Sequence, residues 1–419
     1  MADLSTCPPL TRASVIEAHN LIRPFIHRTP VLTNRTLNEV ASTPRTADEL
    51  AGTPWVAEKA AAAPSDGGFH PARPTLRLWF KCENFQRIGA FKVRGAFHAI
   101  ERLKREPGWL EDGGLAKGVV THSSGNHAQA LALAARTAGM PAHIVMPRIS
   151  APPKVAATRG YGANVIFSGS TAVEREAVAA EVIASTGGRL VPPYDHPDII
   201  LGQGTAGLEL QDQVAEALRA GAQQEGDGPT ALLRAPVTSP PSSSAKRRLD
   251  AIIAPCGGGG LLSGIVLSAE GTGIRVFGAE PSLDGADDCA RGLAQGHRIE
   301  KVASLTIADG LRTPVGVHNW GVLTGKGTTN ADPPKQGVQG VYAVSEDQIR
   351  AALRLLLERL KVVVEPSSAV PLAVALYNED FRRRVEQEAG PDGWDLGIVL
   401  SGGNISLEAF AKLFPPSDS

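Results

Sequence analysis

The sequence predicts an α/β protein with two open parallel-sheet domains, and three observations support this prediction. From Arg77 onward, short apolar runs alternate with helical stretches, as in parallel strands joined by crossover helices. The run from Ala251 to Ala254 is continuously apolar, which is typical of a strand buried on both faces. Turns rich in glycine and serine follow several of these runs, at the sheet edge where open α/β proteins bind ligands.

Composition narrows the class of protein further. The chain has 419 residues, 42% of them hydrophobic and 20% charged, with a net charge of -1, so neither a nucleic-acid nor a membrane partner is expected. No apolar run reaches the length of a membrane span, and no secretory signal is recognisable. The four cysteines, Cys7, Cys82, Cys256 and Cys289, lack a CxxC pair, which argues against a zinc site or a disulfide framework and favours a cytoplasmic location.

The elements follow in chain order. An amphipathic helix is predicted over residues 12–22, followed by a short extended run over 31–33. Strands are predicted at residues 77–82, 118–122, 142–146, 163–167, 251–254, 274–279 and 396–400. Helices are predicted at residues 92–105, 126–138, 153–159, 171–186, 200–220, 260–269, 346–360, 366–377 and 404–413.

The domain organisation follows from this order and from three irregular segments. Residues 40–75, 222–249 and 322–338 are interpreted as insertions, because small, polar and proline residues interrupt the regular pattern there. We expect a large domain formed by residues 1–117 and 196–419. Residues 118–195 would form a smaller, mobile domain that closes over a substrate.

Lys92 is the first residue that points to chemistry. It lies between the apolar run 76–80 and a helical pattern that includes Phe97, Ile100 and Leu103. The start of a helix disfavours a cation, and partial burial would also favour the neutral amine that a Schiff-base lysine needs. An ordinary solvated lysine is the alternative interpretation.

A run of four glycines is the second feature. Gly257, Gly258, Gly259 and Gly260 follow a buried strand and precede the apolar helix that begins near Leu261. Backbone N–H groups in such a loop, together with a helix N-terminus, form an anion site for which a phosphate is suited. Neither a Walker A lysine nor a dinucleotide-binding spacing is present, and a flexible linker is the alternative.

Two further turns lie between a predicted strand and a predicted helix. One contains Ser123, Ser124, Gly125, Asn126 and His127, and the other is the segment 400–404. Both would reach the ligand edge of a parallel sheet, although capping of the following helix is an alternative role for each.

Together, a lysine, a phosphate cradle and two polar turns suit pyridoxal 5′-phosphate (PLP), which needs an imine lysine, a phosphate site and a ring-nitrogen partner. The segments around Lys92, the glycine run and the turn at 121–130 resemble fold-type II PLP enzymes, which have the tryptophan synthase β-like fold. The similarity is to the serine/threonine dehydratase and serine racemase family, which includes threo-3-hydroxyaspartate ammonia-lyases. It covers roughly residues 14–38, 77–220, 250–318 and 340–412.

The resemblance implies a role for each matching residue. Lys92 would be the Schiff-base lysine and the base for the α-proton, and Ser124 the hydroxyl on the opposite face in racemising members. The expected cofactor contacts are Phe91, Lys92, Asn126, Gly257, Gly258, Gly259, Gly260, Leu261 and Ser401. The expected substrate contacts are Ser123, Ser124, Gly125 and His127. A serine at the ring nitrogen cannot hold it protonated, which favours elimination over transamination.

The resemblance also implies a metal site and a reaction. Glu280, the Ala286 carbonyl and Asp288 are oxygen ligands suited to Mg²⁺ or Ca²⁺, although two more residues separate Glu280 from the Ala-Asp-Asp run than in the family pattern. The implied activity is α,β-elimination from serine, threonine or threo-3-hydroxyaspartate, giving a 2-oxo acid and ammonia. A racemase, a β-replacement enzyme and a non-catalytic binding protein stay open as alternatives, and a homodimer is implied by resemblance alone.

Overall fold

The computed structural model describes residues 4–50, 55, 70–123, 125–223, 248–327 and 336–414. Ser124 lies outside the described residues, as do large parts of the predicted insertions. The strands are β1 Val31–Leu32, β2 Leu76–Cys82, β3 Val119–His122, β4 Ala142–Pro147, β5 Asn164–Ser168, β6 Arg189–Leu190, β7 Ala251–Pro255, β8 Arg275–Pro281, β9 Gly340–Val344 and β10 Trp394–Leu400.

Helices separate most of these strands. They are α1 Arg12–Ile22, α2 Arg35–Ser42, α3 Ala47–Leu50, α4 Lys92–Leu103, α5 Gly114–Lys117, α6 Asn126–Thr137, α7 Pro152–Gly160, α8 Ala172–Thr186, α9 Pro197–Gln223, α10 Gly260–Ala269, α11 Asp288–Gln295, α12 Val317–Leu323, α13 Glu346–Leu355, α14 Pro366–Tyr377, α15 Glu379–Ala389 and α16 Leu407–Leu413. In the part of the chain that is described, no helix is both long and apolar enough to cross a membrane.

The larger sheet has six strands in the order β1-β2-β10-β7-β8-β9. Its pairs are parallel except at the edge, where β1 runs antiparallel to β2. This edge pair departs from the prediction of parallel sheets alone, because the short run at 31–32 carries no sign of its direction. Strands β7 and β10 are buried along their whole length, as the apolar runs predicted.

The smaller sheet has four parallel strands in the order β5-β4-β3-β6. All four lie between residues 119 and 190, inside the range predicted for the smaller domain. Helix α6 packs beneath them through an alanine-rich face with Ala128, Leu131 and Ala135 buried. The division of the chain into two domains stays a prediction.

A buried ion network joins α4 to α9 and to β2. The guanidinium of Arg94 donates to both carboxylate oxygens of Glu83 at 2.7 and 2.8 Å and to both of Glu209 at 2.9 and 2.8 Å. Lys81 Nζ adds a bond of 2.7 Å to Glu209. Since these side chains are almost inaccessible to water, each charge depends on its partners for stabilisation.

Among the described parts of the predicted insertion at 40–75, residues 40–50 and 70–75 contain buried residues, and the insertion itself stays a prediction. Ala41, Leu50 and Ala72 are buried in the core rather than exposed. The reason is Arg382, a buried residue of α15 whose guanidinium donates to the carbonyl oxygens of Ala41, Thr43 and Ala72. Residues 51–54 and 56–69 lie outside the described residues, as do 224–247 and 328–335 of the other two predicted insertions.

The final helix also begins later than predicted. Residues 401–406 are not helical, and Gly402 forms an antiparallel bridge with Ala90. Ser406 caps α16 by accepting a hydrogen bond from the backbone N–H of Ala409 at 3.2 Å, so Ser401 does not cap this helix.

Candidate active site

Lys92 lies next to segments that follow a strand of each sheet, namely Pro193 after β6 and Ser401 after β10. It is the first residue of α4, and the preceding residue, Phe91, donates its backbone N–H to Ser401 O at 3.0 Å. The Nζ of Lys92 donates to Pro193 O at 2.8 Å and lies 5.2 Å from the centre of the Phe91 ring. Burial lowers the pKa of Lys92 to about 8, although the Glu365 carboxylate opposes the shift. A fraction of the amine is therefore neutral near neutral pH, as the sequence predicted.

The four glycines lie in a tight loop between β7 and α10. A side chain at Gly257 would approach Gly310 O to 2.9 Å, and one at Gly258 would meet the Tyr194 ring at 2.5 Å. Gly259 has φ +89°, a backbone conformation that favours glycine. Among the described residues, the backbone N–H groups of Gly259, Gly260 and Leu261 have no hydrogen-bond acceptor. Such a set of converging donors at a helix start suits an anion.

We expect Gly259→Ala to destabilise the protein more than Gly271→Ala does. Both glycines have positive φ, but a side chain at Gly271 would enter open space, whereas one at Gly259 would lie 2.9 Å from Asn319 Cβ. The left-handed backbone costs about 1–2 kcal/mol in each variant, and overpacking adds about 1–3 kcal/mol at Gly259 alone. Urea denaturation of both variants measures the difference, and equal losses would show that the loop relaxes freely.

Asn126 begins α6 and connects the smaller sheet to Glu365. Its Nδ2 donates to the two Glu365 carboxylate oxygens at 3.1 and 3.2 Å, and its Oδ1 accepts from Asn404 Nδ2 at 2.8 Å. Asn404 in turn donates to Ile88 O at 2.7 Å. This chain of contacts places Asn126, a predicted cofactor ligand, at the same edge as Lys92.

Sequence reasoning missed Glu365, and it named Asn404 only as part of the turn at 400–404, without a role of its own. Glu365 immediately precedes α14 and is almost fully buried. Burial first, and then the nearby Asp309 carboxylate, raise the pKa of Glu365 to about 7, and the bond from Asn126 opposes the shift. The Glu-Pro-Ser-Ser segment at 365–368 offered a signal, because a proline after a polar residue is typical of a helix start.

We expect the cofactor-free protein to lose stability as the pH rises through the pKa of Glu365. Glu365→Gln should remove that loss. The pKa in the folded chain, about 7, exceeds the ordinary value of 4.5, so the contribution of Glu365 is fully present below pH 4.5 and is lost as the pH rises through 7. The loss is on the order of 3 kcal/mol, because one pKa unit corresponds to about 1.4 kcal/mol.

Urea denaturation at pH 5 and at pH 8 measures this effect, where the two pH values are about two units below and one unit above the expected midpoint. Glu216→Gln is the matched control, because Glu216 is half exposed on α9 and should leave the pH profile unchanged. Parallel pH profiles for the wild type and Glu365→Gln would contradict the expectation.

The predicted substrate turn is only partly described. Ser123 Oγ accepts from Gly125 N at 3.4 Å, and Ser124 lies outside the described residues. His127 is buried, and its Nε2 lies 3.3 Å from Val191 O. Burial, followed by the charge of Lys92, lowers the pKa of His127 to about 3, so the imidazole is neutral. The side chain of His127 therefore packs inside the fold, and only its backbone could serve a substrate carboxylate.

Ser401 lies at the end of β10, next to the start of α4. Its Oγ is 3.1 Å from Ser368 Oγ, and the Ser368 hydroxyl also donates to Gly402 O at 2.7 Å. The structure thus brings Ser401 and Phe91 together with Lys92 at the carboxyl edge of the larger sheet. Their cofactor roles stay predictions.

The predicted metal residues lie together behind the glycine loop. The Glu280 carboxylate accepts from the N–H groups of Cys289 and Ala290 at 3.1 and 3.0 Å, and Asp288 Oδ2 accepts from Val315 N at 3.0 Å. Asp288 Oδ1 is buried and has no hydrogen-bond partner among the described residues. Burial raises the pKa of Asp288 to about 6 and also raises that of Glu280. A buried, unpaired carboxylate oxygen of this kind fits a hard divalent cation.

The segment between Glu280 and Ala286 contains a turn. Asp284 and Gly285 adopt φ +49° and +77° in a 3₁₀ turn, and buried Ala286 follows it. The structure also brings Cys256 and Cys289 close to Glu280, with one ligand atom from each lying within 4.8 Å of the others. Nothing in the spacing of the cysteines along the chain indicated this cluster.

The described residues fit PLP on several independent observations. A lysine with a lowered pKa, a glycine loop with unpaired N–H groups and the hydroxyl of Ser401 meet at one edge of the larger sheet. The fold and this site define an enzyme of the fold-type II PLP class, which confirms the predicted fold class.

The chain belongs to the family described as pyridoxal-phosphate dependent enzyme, whose model matches residues 69–392. It is 35% identical over 408 residues to a serine racemase of Dictyostelium discoideum, covering 96% of this chain and 98% of that protein. It is 33% identical over 406 residues to an L-threo-3-hydroxyaspartate ammonia-lyase of Saccharomyces cerevisiae, covering 96% of each chain. A solved threonine deaminase from T.th. has a TM-score of 0.66 and 33% identity, covering 98% of this chain and 100% of that one.

Proposed function

We propose that this protein is a PLP-dependent ammonia-lyase that acts by α,β-elimination on a hydroxy amino acid to give a 2-oxo acid and ammonia. The substrate class comprises serine, threonine and threo-3-hydroxyaspartate. The observation that carries the proposal is Lys92, whose amine has its pKa lowered to about 8 by burial and donates to Pro193 O, next to the Tyr194 ring that lies against Gly258. The names of the relatives, which include an ammonia-lyase and a threonine deaminase, support the same chemistry.

Bound PLP supplies an electron sink that makes the α-proton of an amino acid acidic. In the proposal, Gly257, Gly258, Gly259, Gly260 and Leu261 hold its phosphate, Phe91 and Ser401 contact its ring, and Asn126 orients its hydroxyl edge. Lys92 anchors it and takes the α-proton at Nζ. The neutral fraction of Lys92 matters because only an unprotonated amine can act as a base.

The turn at 123–127 would bind the substrate carboxylate. Ser123, Gly125 and His127 offer backbone groups at the start of α6, where the helix dipole favours an anion. Ser124 is the proposed acid or base on the opposite face. Racemisation is the second candidate, because a serine racemase is similar to this chain over 96% of its length.

One assay separates these activities. Purified protein with PLP is incubated with L-serine, D-serine, L-threonine and L-threo-3-hydroxyaspartate, and both 2-oxo acid and the configuration of the remaining amino acid are measured. We expect 2-oxo acid from at least one substrate. Amino acid of inverted configuration without 2-oxo acid would show that the protein is a racemase rather than a lyase. If neither product forms although PLP is bound, the result would favour a β-replacement enzyme.

Glu280, the Ala286 carbonyl and Asp288 are proposed to bind Mg²⁺ or Ca²⁺. We expect either cation to raise the melting temperature, since a ligand at a hundred times its Kd stabilises a folded protein by about 2.7 kcal/mol. Asp288→Asn should remove most of the shift, because it neutralises the carboxylate whose Oδ1 is unpaired among the described residues. A shift that requires Zn²⁺ and survives Asp288→Asn would instead place the ion on Cys256 and Cys289.

A cytoplasmic homodimer is the proposed state of the protein. Phe85 and Val363 are about half exposed on adjoining segments, since Asn84 Nδ2 donates to Val363 O at 3.3 Å. Exposed apolar side chains on one surface support an interface there. Light scattering after size exclusion tests the dimer, and Phe85→Asp should dissociate it.

A further inference from the structure

Asn319 is a fully buried residue of α12 that lies behind the glycine loop. Its Nδ2 donates to Gly258 O at 2.9 Å, and Tyr194 O and Asp195 Oδ1 each lie 3.3 Å from the same nitrogen. The backbone N–H of Gly316 donates to the same Gly258 carbonyl at 3.1 Å. Two N–H donors at the start of α12, from the Asn319 amide and the Gly316 backbone, therefore fix the orientation of the Gly258 carbonyl.

Holding a carbonyl also fixes the N–H group on the other side of its peptide unit. A peptide unit is planar and trans, so the N–H of Gly259 points opposite to the Gly258 carbonyl. Because the carbonyl faces α12, this N–H faces away from α12. It is buried with Gly259, and no acceptor for it exists among the described residues. A buried donor without an acceptor is costly unless a ligand satisfies it.

We propose that Asn319 is a positioning residue that fixes the Gly258–Gly259 peptide so that the Gly259 N–H meets the phosphate of PLP. The inference rests on the proposed function of the glycine loop as the phosphate site. Asn319 does not touch the cofactor and acts only through this peptide.

The surroundings of Asn319 require an amide rather than another side chain. Three oxygen atoms surround Nδ2, so the nitrogen must be the donor there. The Oδ1 atom is buried and has no partner among the described residues, which reduces the stability of the fold. Asn319 has a buried oxygen without a partner among the described residues, but its nitrogen faces three acceptors. This combination fits a residue that positions its neighbours better than one that only fills space in the core.

Ser263 provides the matched control, whereas Asp195 also accepts a hydrogen bond from the Asn319 amide at 3.3 Å. Asp195 accepts hydrogen bonds from the N–H groups of Val317, His318 and Asn319 at 2.8, 2.9 and 3.2 Å, so it holds the start of α12. Ser263 Oγ donates to the backbone carbonyl of Asn319 at 3.3 Å. Ser263 is not bonded to Gly258 O or to the Asn319 amide, so its loss should affect α12 without turning the peptide.

The test compares the affinities of the full-length, cofactor-free protein for PLP and for pyridoxal, which lacks the phosphate. In Asn319→Ala we expect the affinity for PLP to fall about tenfold, as for the loss of one hydrogen bond, with pyridoxal changed less than about twofold. Asn319→Asp keeps the shape but places a carboxylate oxygen against Gly258 O, and should weaken PLP binding further. Ser263→Ala should leave the ratio of the two affinities unchanged.

Three results would overturn the inference. Equal losses of affinity for PLP and for pyridoxal in both Asn319 variants would show that Asn319 only stabilises α12. Unchanged PLP affinity in Asn319→Asp would show that the peptide orientation does not matter. Equal affinities of the wild type for PLP and pyridoxal would instead show that the loop binds no phosphate, which removes the proposed function of the loop as well.

Discussion

Lys92→Ala is expected to abolish the conversion of hydroxy amino acids and the absorbance band of the imine between the cofactor and its lysine. The amine of Lys92 is the only lysine nitrogen among the described residues that lies over the Phe91 ring and donates to Pro193 O. Removing a positioned base costs about 10²–10⁴-fold in rate, and loss of the covalent anchor adds to that cost. Turnover and cofactor absorbance are measured on the same preparation.

Lys104→Ala is the control for this variant. Lys104 follows the same helix, is partly exposed and pairs with Glu101 at 2.7 Å, so its loss should affect neither turnover nor absorbance. Lys92→Ala with at least a tenth of wild-type turnover would show that another group removes the α-proton, since the expected loss is at least about 10²-fold.

Glu209→Ala is expected to have the largest effect on stability. The change leaves Arg94 and Lys81 buried with one carboxylate, that of Glu83, in place of two. Breaking a buried ion pair by removing one partner costs about 3–5 kcal/mol. Burial would raise the pKa of Glu209, but Arg94 and Lys81 lower it to about 2, so the carboxylate is charged across the ordinary pH range. Urea denaturation at neutral pH measures the loss.

Glu216→Ala is the matched change on the same helix. Glu216 pairs with Arg28 at 2.8 Å, but both side chains are more than half exposed, so the expected loss is about 0–1 kcal/mol. If the two variants lost the same stability, the buried network would contribute no more than a surface pair.

The secondary-structure predictions were correct where the sequence contains repeated apolar runs. Strand β7 was found because its residues are buried on both faces and apolar throughout, and β2 and β10 were found because they are mostly apolar, apart from Arg77, Lys81 and Asp395. Strand β9 and helices α2, α11, α12 and α15 are among the elements that were missed. The residues of β9 are mostly half-buried at the sheet edge, and α15 carries a strongly charged surface whose apolar contacts are few.

The parts of the candidate site that could be predicted are those where the chemistry requires one residue type. The position of Lys92 at the start of α4 and the glycine loop before α10 were both confirmed. The role of Glu365 could not be predicted, and Asn404 was known only as part of the turn at 400–404, because their mutual connection through Asn126 depends on contacts between residues far apart along the chain. The Asn126–Glu365 bond, for example, joins residues 239 positions apart.

Reduction of the native protein with borohydride, followed by peptide mass mapping, tests the central claim most directly. Borohydride converts the link between PLP and its lysine into a stable bond. The account predicts a single pyridoxyl adduct on the peptide that contains Lys92 and none on Lys81, Lys104 or Lys154. An adduct on another lysine, or none on a protein that has bound PLP, would contradict the assignment of Lys92 as the cofactor lysine.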